Sequence, residues 1–308
     1  MRHPGRERGG RPRAGRAPAA WHADGVNVQG VGELGLLERI RPYLGAGAGL
    51  DDAAVIAEGS GYLVASADMF VEGVHFDLEW TSAEDAGWRA LALALGDLAA
   101  KGAQPDWALA SIAIPKHWKV EDVSGLYAGM DAVAERFNLR IAGGDMSSIA
   151  GPAVLSLTVV GRTDSRPLAR SDAQAGWSVG VTGPLGGAAA ALREHLAHRL
   201  VPLIDEGRRL NHLGLCCGDI SDGLVREMEK FAAMSGVGCE LHADKVPCAA
   251  GATLEEALTS GEEAELVCAG PESAIAKAGL HVIGTMTAGK TVKVAGADLK
   301  STGYDHFA

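Results

Sequence analysis

The chain reads as a mixed α/β and α+β protein. Strand-like apolar runs alternate with amphipathic helical periods, and this order restarts after a polar, aperiodic stretch at 162–176. Aspartates recur beside small residues, mostly after an apolar run, as they would where strands end at a common site.

Residues 1–30 are rich in Gly, Arg, Pro and Ala and show no hydrophobic period, so a disordered leader is expected. A basic nucleic-acid-binding arm and a transit peptide are the alternatives, the second opposed by the lack of Ser. From Gly32 onward Leu34, Leu37, Ile40 and Leu44 recur at helical spacing. Strands are expected at 53–57 and 62–67. A helix follows at 84–101, with Trp88, Leu91, Leu95 and Leu98 on one face. Residues 107–114 form a buried strand stopped by Pro115, 121–137 a helix, and 139–144 and 153–161 two strands.

The second half opens with a strand at 177–183 and an Ala-rich helix at 187–200. A helix over 221–236 takes Ser221 as N-cap and stops at Gly236. The segment EEALTSG is a short helix, 264–270 a strand, and 281–286 and 291–296 strand candidates. The expected domains are therefore a leader at 1–30, an N-terminal domain at 31–165 and a C-terminal domain at 166–308. A length of 308 residues gives each half enough chain for a core.

Composition excludes several classes. Net charge is −11, which disfavours a nucleic-acid partner. The first 20 residues hold six Arg and one Glu, leaving 22 basic against 38 acidic side chains, a net of −16, in the rest. No run reaches the ~18 apolar residues of a membrane span. Five cysteines, an odd count without a CxxC pair, point to reduced thiols in a cytoplasmic protein.

Seven aspartates carry the chemistry: Asp51 and Asp52, Asp68, Asp97, Asp145, and Asp219 with Asp222. Gathered carboxylates repel unless cations hold them. Oxygen-only ligands favour Mg²⁺, which usually holds phosphates as well. All of these acids but Asp68 also have an ordinary explanation. Asp51 and Asp52 suit a surface turn, Asp97 a solvent-facing helix position, Asp145 a loop turn, and Asp219–Asp222 a helix start capped by Ser221. The turn TGPLGG (182–187) resembles an anion-binding turn of a common type. His195 and His198 read as part of a solvated helix face, and His75 alone as a packed histidine. No GxxxxGK[ST] phosphate loop, protein-kinase motif or Ser–His–Asp order is present, so ATP would be bound by another route.

The ordered strings GELGLLERI, DDAAVI, SADMFVEGVHF, GDLAAKGA, AGGD, LARSDAQAGW, VTGPLG, ISDGL, SGEEAEL and GYDHF resemble the thiamine-monophosphate kinase family. That family shares a superfamily with aminoimidazole ribonucleotide synthetase, selenophosphate synthetase and a hydrogenase-maturation enzyme. The resemblance implies a two-domain architecture of the aminoimidazole ribonucleotide synthetase type, with an N-terminal ATP/Mg domain and a C-terminal α+β domain. It implies an ATP- and Mg²⁺-dependent conversion of thiamine monophosphate to thiamine diphosphate by a homodimer. Carried over by motif, Asp52, Ser66, Asp68, Asp97, Asp145, Asp219 and Asp222 are the implied ligands of several Mg²⁺ ions, and Asp97 and Asp222 the implied catalytic residues. Gly144, Asp145, Arg170 and Ser221 are the implied ATP contacts, and His75, Glu262 and Tyr304 the implied acceptor contacts.

The chain departs from the family pattern at Leu50, Ala67, Gly96, Met146, Ser260, Glu263, Ala264 and Leu203. A phosphate monoester acceptor is already ionised, so direct in-line transfer needs positioning and charge neutralisation rather than a general base. Another acceptor within the superfamily, or a non-catalytic thiamine-phosphate binder, are the competing expectations.

Overall fold

The computed structural model describes residues 27–44 and 51–307; residues 1–26 of the expected leader and Leu50 lie outside the described residues. The chain divides into two units, residues 1–49 with 305–308, and residues 50–304. In the first unit, α1 (Gly32–Ile40) follows a tight turn at Val28–Gly30. The helical period runs on to Leu44, but Pro42 cannot supply a helical N–H, and Arg41–Tyr43 tighten into a single 3-10 turn.

The second unit holds two sheets. The first contains β1 (Ala54–Glu58), β2 (Gly61–Val71), β3 (Gln104–Pro115), β4 (Arg140–Ile149) and β5 (Val154–Thr163), in the order β1-β2-β5-β3-β4. Only β3 and β4 run parallel, as a strand–helix–strand crossover requires. That crossover is α3 (Val120–Arg136), which lies beside α2 (Ala83–Ala100). On α2 the residues Leu91, Leu95 and Leu98 join Leu126, Met130 and Val133 of α3 and Leu155, Leu157 and Val159 of β5 in one core. β2 is longer than the apolar run suggested. Val64 and Phe70 are buried, and strand alternation puts Ser66 and Asp68 on their face. Ala67 and Met69 lie on the other face and are exposed.

The second sheet contains β6 (Ser178–Val181), β7 (Cys216–Ile220), β8 (Gly238–His242), β9 (Glu263–Gly270), β10 (His281–Thr287) and β11 (Val292–Ala295), in the order β11-β8-β10-β6-β9-β7. Five helices accompany it: α4 (Gly187–Arg193), α5 (Ile204–His212), α6 (Leu224–Ser235), α7 (Leu254–Thr259) and α8 (Glu272–Ala278). The α2 core continues through Leu210, Leu215 and Leu266, so both sheets border it.

Several expectations change. The helix expected at 187–200 stops at Arg193, and His195 takes a left-handed backbone (φ 52°) and stacks on Trp80. His195 and His198 therefore share no helix face. Ser221 is not the N-cap of α6; Gly223 is. The strands β7 and β8 and helices α5 and α8 were not among the expected elements. The register of β7 against β9 places Cys217 opposite Cys268, Cα atoms 4.2 Å apart, and the two form a disulfide. This corrects the expectation of five reduced thiols; at a separation of 51 residues no local spacing announces the pair. Cys216, Cys239 and Cys248 are free. Among the described residues no helix is long and apolar enough to cross a membrane.

Candidate active site

Ser82 caps α2 by accepting from the Asp85 amide at 3.0 Å, and the helix carries its apolar surface into the core. Asp97 sits near its C-terminal end at 8% exposure, so the solvent-facing alternative fails. The Ser66 hydroxyl on β2 donates to the Asp97 carboxylate and lies 3.1 Å from the Asp52 carbonyl. Asp219 arrives on β7. Its carboxylate packs over Gly96, where an added Cβ would stand 3.5 Å away. Ligand oxygens of Asp52, Asp97 and Asp219 all lie within 4.8 Å of one another.

Their electrostatics differ. Burial pushes Asp97 up, and Asp68 and Asp52 push it further above the carboxylate range. Burial likewise raises Asp219, with Asp97 and Asp52 adding to it. Burial and then Asp222 lift Asp68 to about 6, against an opposing Lys230. Asp52 goes the other way. Burial would raise it, but Arg170 and Lys101 hold it well below the usual range. Arg170 contacts Asp52 Oδ1, Lys101 Nζ lies 2.7 Å from Asp52 Oδ2, and the Asp219 amide donates to Asp52 Oδ1 at 3.3 Å.

Arg170 is 2% exposed. Its guanidinium pairs with Asp52 and Glu227 and lies 5.8 Å from the Phe231 ring centroid. Asp222 precedes α6 and pairs with Lys230 at 2.8 Å, and its carbonyl accepts from the Tyr304 amide at 3.0 Å. Ser221 is exposed beside it. Gly261 makes this junction possible, because a Cβ there would fall 1.8 Å from the Ser221 carbonyl oxygen. The next residue, Glu262, has a left-handed backbone (φ 58°) and donates its amide to that carbonyl at 2.9 Å. A non-glycine residue held so costs about 1–3 kcal/mol, and such strain concentrates at functional sites. Glu262 pairs with Arg89 of α2, leaving Arg89 Nε and Glu262 Oε1 buried without a hydrogen-bond partner among the described residues. Two orphaned buried polar atoms side by side suit a ligand.

His75 lies in the bend after β2. Its Nδ1 accepts from the Val71 amide at 3.0 Å, which places the proton of the neutral ring on Nε2, and its ring meets Phe70 edge-on. Ala67 points away from Ser66 and Asp68, so a larger side chain there would add no ligand beyond the backbone. The turn at 182–187 already has its anion: Glu263 Oε1 accepts from the Gly186 and Ala188 amides at 2.9 and 3.2 Å. Burial lifts Glu263 to about 6 despite those amides.

Gly144 and Asp145 lie elsewhere. Asp145 is inside β4 rather than in a turn, paired with Ser111 of β3. Three strand spacings separate β4 from β2, about 14 Å, so one chain does not bring Asp145 to Asp68. Gly144 approaches β3 so closely that a Cβ would meet the Ala110 carbonyl at 1.7 Å. Both residues line an open groove with Ser124, Tyr127, Ala128 and Asp131 of α3.

Sequence reasoning missed Lys101, Arg89, Glu227, Lys230 and Tyr127. Two left a signal: Lys101 is the lone cation ending an apolar helix, and Glu227 lies on the apolar stripe of Leu224, Met228 and Phe231. Arg89, Lys230 and Tyr127 had none that separates them from surface positions.

Residues 50–163 match the family described as AIR synthase related protein, N-terminal domain. The thiamine-monophosphate kinase of Rhodopirellula baltica is 34% identical over 258 residues, 76% of this chain and 78% of that protein. That of Methanopyrus kandleri is 33% identical over 271 residues, 80% and 85% of the two chains. The solved structure described as AaThiL complexed with AMPPCP and TMP superposes with a TM-score of 0.82 at 28% identity, covering 91% of this chain and 99% of that one. With the acidic cluster, the two-sheet fold and these likenesses in agreement, the chain belongs to the thiamine-monophosphate kinase family.

Proposed function

We propose that the chain transfers the γ-phosphoryl group of ATP directly, in line, to the phosphate of thiamine monophosphate, giving thiamine diphosphate and ADP. The convergence of Asp52, Asp97 and Asp219 within 4.8 Å carries this reading. Two of those carboxyls are pushed far above their ordinary range, which marks a site short of positive charge. All its donors are oxygens, so the residues fit Mg²⁺. Asp68, Asp97, Asp219 and Asp222, with the Ser66 hydroxyl, are the residues that would hold it. Bound Mg²⁺ would offset the repulsion between the two phosphate-bearing substrates. Asp97 and Asp222 act here by holding charge at the transfer point, not as proton acceptors. The orphaned Glu262 and Arg89 atoms suit the acceptor, with His75 and Tyr304 as its further contacts. The groove of Tyr127, Gly144 and Asp145 suits the nucleotide, and Ser221 its phosphates. Arg170 holds Asp52 and Glu227 in place beneath them.

A homodimer belongs to the same proposal. The outer face of the first sheet and its β1 and β4 edges expose Ile56 (53%), Met69 (59%) and Met146 (58%). A second copy covering that face offers a route for Asp145 of one chain to reach the carboxylates of the other. A cytoplasmic location follows from the substrates, since MgATP is an intracellular solute.

The test is a chromatographic assay of purified protein with MgATP and thiamine monophosphate. Thiamine diphosphate and ADP in equal amounts are expected. ADP without diphosphate would refute the acceptor, and no ADP would refute the kinase.

A further inference from the structure

The acidic cluster has two unlike halves. Asp97 accepts from the Ser66 hydroxyl, and among the described residues Asp219 comes nearest a cation at Arg170, 4.0 Å away. Asp51 and Asp52 instead face a lysine. The Lys101 side chain has no exposed surface, and its Nζ lies 2.6 Å from Asp51 Oδ1, 2.7 Å from Asp52 Oδ2 and 3.2 Å from the Cys217 carbonyl. Hydrogen bonds to Asp51 Oδ1 and the Cys217 carbonyl hold the ammonium in place, and Asp52 Oδ2 adds an ion pair. The contact to Asp52 Oδ2 is an ion pair made off the hydrogen-bond direction. The other oxygen, Oδ1, is taken by Arg170 and the Asp219 amide. Asp52 Oδ1 is thus hydrogen-bonded, and Oδ2 ion-paired, to fixed groups of the chain.

We propose that Lys101 is a positioning residue that takes the place of one divalent cation, so that Asp52 is held by the ammonium and Arg170 while metal binds only on the Asp68–Asp97–Asp219 side. The proposal rests on the metal reading above. It departs from the ligand set implied by resemblance, because the site would hold fewer ions than its aspartates suggest. The geometry explains why Asp52 resists serving both partners. A cation bound to Asp52 would stand beside a buried ammonium and a guanidinium and be repelled by both. Lys101 begins one helical turn after Asp97, so it also fixes the Asp52 carboxylate against the end of α2.

The experiment counts Mn²⁺ bound per chain, by equilibrium dialysis read with electron paramagnetic resonance. The full chain is used with a non-hydrolysable ATP analogue present throughout. Lys101→Met keeps the length of the side chain and removes its charge. It is expected to bind one Mn²⁺ more than wild type, and its melting temperature in chelator is expected to fall and be recovered by Mn²⁺. An unchanged count overturns the proposal and leaves Lys101 a structural ion-pair partner. Asp52→Asn gives an independent arm should Lys101→Met fail to fold. It is expected to keep the wild-type count, and loss of one Mn²⁺ overturns the proposal. Asp97→Asn separates the two levels. If it and Asp52→Asn each lose an ion, the metal site stands and the role of Lys101 fails. If wild type binds no Mn²⁺ beyond that carried by the nucleotide, both fail.

Discussion

Asp97→Asn should make the metal-free protein more stable and nearly inactive. Asparagine keeps the shape and can still accept from Ser66, while removing an ionisable group held within 4.8 Å of Asp52 and Asp219 oxygens. At that separation two ionised carboxylates repel by about 3.5 kcal/mol at an effective dielectric of ~20. Lys101 and Arg170 already offset much of the field of Asp52, and Asp219 holds its own proton above the usual range. The net relief should be about 1–2 kcal/mol, or about 2–4 °C in melting temperature for a chain of this size. Turnover of thiamine monophosphate should fall by about 100-fold or more, the scale for losing one preorganised electrostatic element. The assay pairs thermal melts in chelator and in Mg²⁺ with steady-state diphosphate formation. Mg²⁺ should raise the melting temperature of wild type more than that of the variant. A variant that melts lower in chelator, or that turns over at the wild-type rate, would refute the reasoning.

Further outcomes follow from the same geometry. The folded, metal-free protein binds the Asp68 proton more tightly than the unfolded chain does, so its contribution is complete below the ordinary carboxylate range and lost as pH rises through about 6. Asp97 and Asp219 shift in the same direction, so melting in chelator should weaken as pH rises from about 4 through about 6. A melting temperature that rises over that window would contradict these assignments. Glu227→Met should destabilise by about 3–5 kcal/mol in chemical denaturation, because buried Arg170 loses the partner of its Nε; a loss under ~1 kcal/mol would show that the pair is dispensable. Tyr127→Ala should raise the ATP dissociation constant by roughly 5- to 150-fold through lost base stacking, with turnover at saturating ATP largely kept; unchanged affinity would place the base elsewhere.

The sequence was most legible where one period persists. The long helix over 84–101 and the strand at 107–114 lie within two or three residues of α2 and β3, because each buries one continuous apolar face. β7 was illegible because CCGDI is short, has no alternation and is buried through both faces of its sheet. Ala-rich sequence overextended α4, whose end is set by the left-handed turn at His195 and its stacking on Trp80 rather than by propensity. At the site, the acids were visible because carboxylates beside small residues are unusual in apolar context. Their partners were not. Lys101 meets Asp51 across 50 residues and Arg89 meets Glu262 across 173, and no local rule reports contacts of that range.

The helix α2 works as a measuring rod. Arg89, which grips Glu262, and Asp97, which faces the carboxylates, stand eight residues apart on one rigid rod, so about 12 Å of helical rise separates them. On the proposed function, an acceptor seated at Glu262 would have to bridge that gap to present its phosphate at Asp97. A small phosphate ester that filled either end alone would leave the other empty, so the length of the molecule, and not only its chemistry, becomes a criterion of selection. Because the rod is a single buried helix with its caps and core fixed, that length is set when the chain folds.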